Sequence, residues 1–257
     1  MRIRVVIVSL LALVAGPRLA SAQIVNVQSV LATEADQGLS GSVRGSIDYR
    51  TGNIDVLRLS ALATTTYRQE DHHLIAILKG DFGKASGDRY IARTFEHLRY
   101  RNQLTDRFIV EGFLQHEYDQ FRRLELRALA GLGGAVRLLR GKRYNLSVGV
   151  AYMPEYERLR DDEQSDAGQD SFFHRTSSYA NGAIELDKRI QFVQTVYAQP
   201  RINKPSDARY LSESQFVVQL TEHLTQTTSF SIAYDTRPPE AIEKRDTALK
   251  STLIYSF

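Results

Sequence analysis

The chain has 257 residues, 33 Lys and Arg against 30 Asp and Glu, and neither cysteine nor tryptophan. The lack of cysteine excludes disulfides, thiolate-bound zinc, cysteine nucleophiles and a lipid anchor on cysteine. Charged residues make up 25% of the chain and the mean hydropathy is −0.31, which excludes a bundle of membrane helices but not a β-barrel, whose strands turn only every second residue to lipid.

Residues 1–22 read as a cleaved export signal. Arg2 and Arg4 form a positive start, 5–15 is apolar apart from Ser9, and Ala20-Ser21-Ala22 has the small-x-small pattern of a cleavage site. The apolar run is too short for a spanning helix. Removing this segment takes away Arg2, Arg4 and Arg18 and no acid, so 33 − 3 = 30 basic residues face 30 acidic ones. The basic balance therefore belongs to the leader, and nucleic acid is not an expected partner. Residues 23–40 are a periplasmic arm or lead-in, with a mildly β-prone stretch at 24–31.

From about residue 41 to Phe257, alternation with period two predicts an antiparallel up-and-down β-barrel of about twelve strands. Their cores are expected at 41–49, 53–67, 74–82, 89–101, 108–118, 124–138, 144–157, 172–186, 190–202, 210–221, 227–236 and 247–257. The fourth and ninth alternate poorly, so ten strands is the alternative. In the sixth, Leu124, Leu126, Ala128, Ala130 and Leu132 share one face, and Glu125, Arg127, Leu129, Gly131 and Gly133 the other. In the seventh, Tyr144, Leu146, Val148, Val150 and Tyr152 oppose Asn145, Ser147, Gly149, Ala151 and Met153. In the eleventh, Phe230, Ile232 and Tyr234 alternate with serine, alanine and aspartate. A soluble sandwich needs two large apolar faces meeting each other. Here the second face is small or polar, which predicts bulky side chains toward lipid and modest hydrophilic ones toward a lumen, in a barrel closed on itself.

The longest connections, about 158–171 and 237–246, follow odd strands, and those after even strands are short. That is the asymmetry of long outside loops and short periplasmic turns. Tyr144, Tyr152, Tyr234 and Tyr255 are candidates for an interfacial girdle. The last strand ends on Phe257, and Lys250, Tyr255 and Phe257 resemble the terminal signal read by the outer-membrane assembly machinery, although Thr252 stands where that signal usually has glycine. Outer-membrane lipid, lipopolysaccharide and the assembly machinery are thus the expected partners.

A further resemblance lies in Thr51-Gly52-Asn53, Glu117-Tyr118-Asp119-Gln120-Phe121-Arg122-Arg123-Leu124, Arg127, Gly131-Leu132-Gly133 and Met153-Pro154-Glu155. From about residue 40 onward the chain resembles the family of salt-stress-induced outer-membrane proteins, a domain-of-unknown-function family. The resemblance implies an outer-membrane barrel in a Gram-negative envelope and leaves transport and chemistry open.

Parity places Glu111, Glu117, Glu125, Arg127, Glu155 and Glu157 toward the lumen. Arg127 is expected near Glu117 on one side and Glu155 or Glu157 on the other, as a paired filling or a polar constriction. His174 lies near Ser171, Ser177 and Ser178, but no Gly-x-Ser-x-Gly elbow or orienting partner is evident, so no catalytic residue is assigned. His72-His73 and the acidic run at Asp161, Asp162, Glu163, Asp166 and Asp170 lack the spacing of a metal loop, and no metal or cofactor is expected. A narrow passive pore for small solutes or ions is the leading reading. A closed structural, stress-response barrel is the alternative, ahead of an outer-membrane hydrolase or a soluble periplasmic binding barrel.

Overall fold

Alternation with period two is realised as one all-β, antiparallel sheet. The computed structural model describes residues 24, 26 and 37–255, apart from 53, 54 and 142. The strands are β1 (Gly38–Arg50), β2 (Val56–Gln69), β3 (His72–Ala85), β4 (Asp88–Gln103), β5 (Phe108–Asp119), β6 (Leu124–Arg140), β7 (Tyr144–Leu159), β8 (Asp170–Asp187), β9 (Ile190–Arg201), β10 (Lys204–Gln219), β11 (Leu224–Asp235) and β12 (Arg245–Tyr255). Each pairs with its sequence neighbours in the order β1 to β12. The ten-strand alternative drops out, because the poorly alternating β4 and β9 have full ladders on both sides.

One face of each strand carries the bulky apolar residues outward. Val43, Ile47, Leu114, Leu132, Val150, Phe230 and Leu249 are exposed, as are Tyr144, Tyr152 and Tyr234. An apolar belt of this extent is not a surface that water tolerates on a monomer. Over β4 to β10 the opposite face is buried by curvature, since the inward side chains there meet one another across the interior.

That interior differs from the expectation in two respects. It is not uniformly small and polar: Ile75, Ile77 and Phe95 form one apolar cluster, and Phe113, Leu129, Ala151 and Met153 another. These apolar groups occupy space that paired ions alone would leave void. The second departure is local. Leu124, expected outward, is buried, and Glu125, expected inward, is half exposed and paired with Arg158 at 3.5 Å. The β6–β7 register slips between Leu124 and Leu126, and the β5–β6 register between Glu117 and Asp119. An extra residue on one strand exchanges the two faces, so parity counted back from Arg127 fails at Glu125.

The longest connections are residues 160–169 after β7 and 236–244 after β11, both odd strands. The turns after even strands are short, as at 70–71, 141–143 and 188–189. No ladder joins β1 to β12 among the described residues, and both strands are exposed on both faces over most of their length. The expected closure is therefore not drawn by the described hydrogen bonds. The proposed leader, most of 23–37 and Phe257 lie outside the described residues. Tyr255 ends β12 opposite Leu224, and Lys250 is exposed opposite Ser229.

Candidate functional site in the lumen

Side chains from four strands meet at Glu155, which has no exposed surface. Its Oε2 accepts from Arg127 Nε at 2.8 Å and Nη2 at 2.6 Å. Its Oε1 accepts from Arg175 Nε at 3.3 Å and Arg209 Nη1 at 2.7 Å. A carboxylate offers about four acceptor positions, and all are filled. Arg127 also reaches Glu117 at 3.5 Å. Arg209 donates to Glu157 at 2.7 Å and to Asp235 at 3.0 Å. Arg175 donates to Asp207 at 2.9 Å, and Arg201 reaches the same carboxylate at 3.1 Å. The bond from Arg209 on β10 to Glu155 on β7 joins strands that are not neighbours, so the knot crosses the lumen.

The local fold explains why these groups converge. Register pairs Arg127 with Glu117 and Glu157, and Arg209 with Asp235, directly across adjacent strands. A bulge in β10 between Lys204 and Ala208 buries Asp207, Ala208 and Arg209 in succession, bringing Asp207 to Arg175. Four guanidiniums and five carboxylates share the knot. Burying such charges is tolerable only with this dense mutual pairing.

Nearer the opposite end, buried Glu111 accepts from Arg99 at 3.1 Å and from the Tyr179 hydroxyl at 3.4 Å, with Arg101 at 3.4 Å. Between the two charged groups, His97, Arg99, Phe113, Gln115, Leu129, Met153, Ser177, Tyr197, Gln199 and Ile24 enclose a cavity of about 20 Å³.

Beyond the knot, three odd-strand connections are tied at the mouth. The turn at 120–122 is a short 3-10 turn capped by Asp119, and Arg123 after it adopts φ 59°. Such a φ is uncommon away from glycine. Its side chain donates to Asp162 (two bonds of 2.6 Å), to Asp166 at 2.5 Å and to the Glu240 carbonyl at 2.9 Å. The Arg123 hydrogen bonds hold the Asp162 carboxyl below its usual 3.8. For Asp166, partial burial pushes upward but is outweighed by the Glu240 backbone N–H and Arg123, leaving its carboxyl lowered too. Depressed carboxyl pKa values contribute stability that is present above the unfolded value and lost as pH falls through the folded one. Hydrogen exchange in residues 160–169, corrected for intrinsic rate, is therefore expected to stay constant from neutral pH to about pH 4 and to rise only below it. Arg123→Ala is expected to bring fast exchange at neutral pH.

The other wall is unlike this one. The register carries inward parity from Thr66, Thr64 and Ser60 on β2 to Ser40, Ser42 and Ser46 on β1, and from Ala233 to Thr227, Ser229 and Ser231 on β11 and Thr252 on β12. All but Thr66 are partly or fully exposed. A solvent-accessible face of hydroxyls, with Asp48, Arg58 and Lys250 at the same parity, thus stands opposite the buried ionic one.

Of the sequence-derived lumen residues, Glu117, Arg127, Glu155 and Glu157 come together, Glu111 sits in the separate Arg99 cluster, and Glu125 faces outward. Arg99, Arg175, Arg209, Asp207 and Asp235 escaped sequence reasoning. They share the odd numbers of the assigned lumen set, so extending the same parity along β4, β8, β10 and β11 could have found them. His174 faces outward with its Nδ1 at 2.5 Å from the Tyr152 hydroxyl, whereas Ser177 faces inward and accepts from Gln199.

Residues 43–257 match the family described as "Protein of unknown function, DUF481". No curated protein matches the chain. Among solved structures the chain is similar to the NanC porin, with 11% identity over 84% of this chain and 99% of that one and a TM-score of 0.51. It also aligns with a Pseudomonas aeruginosa FadL homologue, at 8% identity over 83% and 71% of the two chains and a TM-score of 0.38. At such identity the first likeness establishes the fold alone.

Proposed function

The chain belongs to the DUF481 family, and from the interior it builds we propose that it is an outer-membrane barrel with a narrow passive conduit for small hydrophilic solutes or ions. The observation that carries this reading is the asymmetry of the lumen. The β4 to β10 wall is buried and ion-paired, whereas the inward face of β1, β2, β11 and β12 is open to solvent and carries hydroxyls beside Asp48, Arg58 and Lys250. Serine and threonine each donate and accept, so a hydrated solute can exchange water for wall contacts, alongside the charges of Asp48, Arg58 and Lys250 at the same parity. The belt of exposed bulky residues faces lipid, and β1 pairs with β12 in the bilayer, since an open ladder edge is not tolerated there. Export uses the 1–22 leader. Lipid, lipopolysaccharide and the assembly machinery, reading Lys250, Tyr255 and Phe257, are its partners. The similarity to a porin supports this reading.

A second reading has its own support. The knot crosses the lumen and the enclosed cavity beneath it is small, which suits a closed barrel that braces the envelope, the role that fits the resemblance to salt-stress-induced proteins. Planar-bilayer recording of refolded protein separates the two. Discrete single-channel steps are expected. Their absence, in protein that migrates as a heat-modifiable folded band, leaves the bracing role.

A further inference from the structure

Ile24 is 6% exposed although it precedes the first strand by many residues. It belongs to an apolar cluster with Ile109, Ala135, Tyr179, Tyr197, Leu211 and Ala233, which come from β5, β6, β8, β9, β10 and β11. Strands from most of the circumference cannot share one cluster unless something occupies the space between them. Two residues on, Asn26 Nδ2 donates to Glu213 Oε1 at 2.7 Å, and Glu213 is an inward residue of β10. Ile24 and Asn26 are therefore inside the barrel, Ile24 in an apolar cluster and Asn26 on a carboxylate.

Its depth can be read from the strand ends. Ile109 opens β5 and Ala135 lies in the last third of β6, both toward the short-turn end. The arginine knot lies toward the long-loop end. Ile24 also lines the cavity of about 20 Å³ beneath the knot, which has room for about one water molecule. Ile24 thus lies below the ion pairs, and β1 opens with Gly38 at the short-turn end. Cleavage after Ala22 would make Ile24 the second residue of the mature chain, which suits a segment that ends there.

We propose that Ile24 and Asn26 act as an internal plug, with Ile24 as the stopper and the Asn26–Glu213 bond as its latch, closing the conduit from the short-turn side. The proposal rests on the conduit reading above and names its regulation. Apolar burial of one isoleucine and a hydrogen bond to a partly exposed carboxylate are each modest contributions, which permits exchange between seated and released states. A solute arriving from the periplasmic side meets the stopper before the knot.

The test uses the absence of native cysteine. Ile24→Cys is combined with Ala135→Cys in one protein and with Ala233→Cys in another, and each is oxidised after folding. At least one pair is expected to form a disulfide, with conductance reduced when oxidised and restored by dithiothreitol. In parallel, Ile24→Gly with Asn26→Ala removes stopper and latch and is expected to raise open probability severalfold while the folded band is kept. Failure of both cysteine pairs to cross-link in folded protein overturns the seat. A cross-link together with unchanged conductance in a conducting barrel overturns the plug. Cross-linking in a barrel that conducts in no variant overturns the conduit reading and the gating role together, leaving a segment that only packs the interior.

Discussion

Replacing Glu155 with glutamine is expected to destabilise the barrel by about 3–5 kcal/mol, the usual cost of removing one partner from a buried ion cluster. The substitution keeps the shape and removes the charge. It leaves Arg127, Arg175 and Arg209 facing one another around a neutral amide whose NH2 end cannot accept their donors. Two acceptor positions on one oxygen cannot replace four, so at least two buried N–H groups lose their partner, and three like charges lose the group between them. The check is the urea midpoint of the folded band, measured against Glu125→Gln. Glu125 is half exposed beside an equally exposed Arg158, and exposed pairs contribute about 0–1 kcal/mol. Similar shifts for the two variants would mean that the lumen assignment is wrong. Glu155→Gln is also expected to change single-channel behaviour, because a loosened knot no longer obstructs the long-loop half of the lumen.

Those two glutamates stand alike in the sequence: both carry odd numbers, both are acidic and both flank Arg127 in a hairpin. Period-two alternation is legible wherever a ladder runs without interruption, which is why β7 and β11 could be faced residue by residue. It is blind to a bulge, since inserting one residue changes no residue type. The slip between Leu124 and Leu126 therefore reversed the facing of two residues while leaving Arg127 and everything beyond it in place. The bulge before Ala208 buries Ala208 between Asp207 and Arg209, a facing that parity cannot assign, because neighbours in a regular strand cannot both face inward.

The apolar part of the interior was illegible for a different reason. Phe95, Phe113 and Met153 carry no mark that separates a lipid-facing from a lumen-facing bulky residue, since both environments exclude water. What distinguishes them is the company on their own face: Phe113 shares inward parity with Glu111, Gln115 and Glu117, and Phe95 with His97 and Arg99. A buried charge thus identifies the face, and the apolar residues follow from it. The segment at Ile24 had no such neighbours to be read against. Its burial depends on a hollow built by six distant strands, and nothing local to 23–40 encodes that.

Gly133→Ala is expected to be the most damaging single-methyl change in the wall, costing about 1–3 kcal/mol as overpacking of a tight site and lowering the yield of folded barrel. A Cβ there would lie 2.1 Å from the Val150 carbonyl oxygen and 2.4 Å from Ala151 Cα. Both are backbone atoms of β7, in the ladder that pairs Gly133 with Ala151, so relief requires the two strands to part. Gly131, two residues earlier on the same face, is crowded instead by the ring of Phe113, with its Cζ at 2.1 Å. A ring can swing on χ1 where a ladder cannot, so Gly131→Ala is expected to cost less despite an equal nominal overlap. Gly80→Ala serves as the control, because no atom lies within 4 Å of a Cβ at that position and changes at such sites usually stay within about 0.5 kcal/mol. The order Gly133, then Gly131, then Gly80 in loss of folded yield is the discriminating result. Equal losses at Gly133 and Gly80 would show that β6 and β7 do not approach as closely as their register requires.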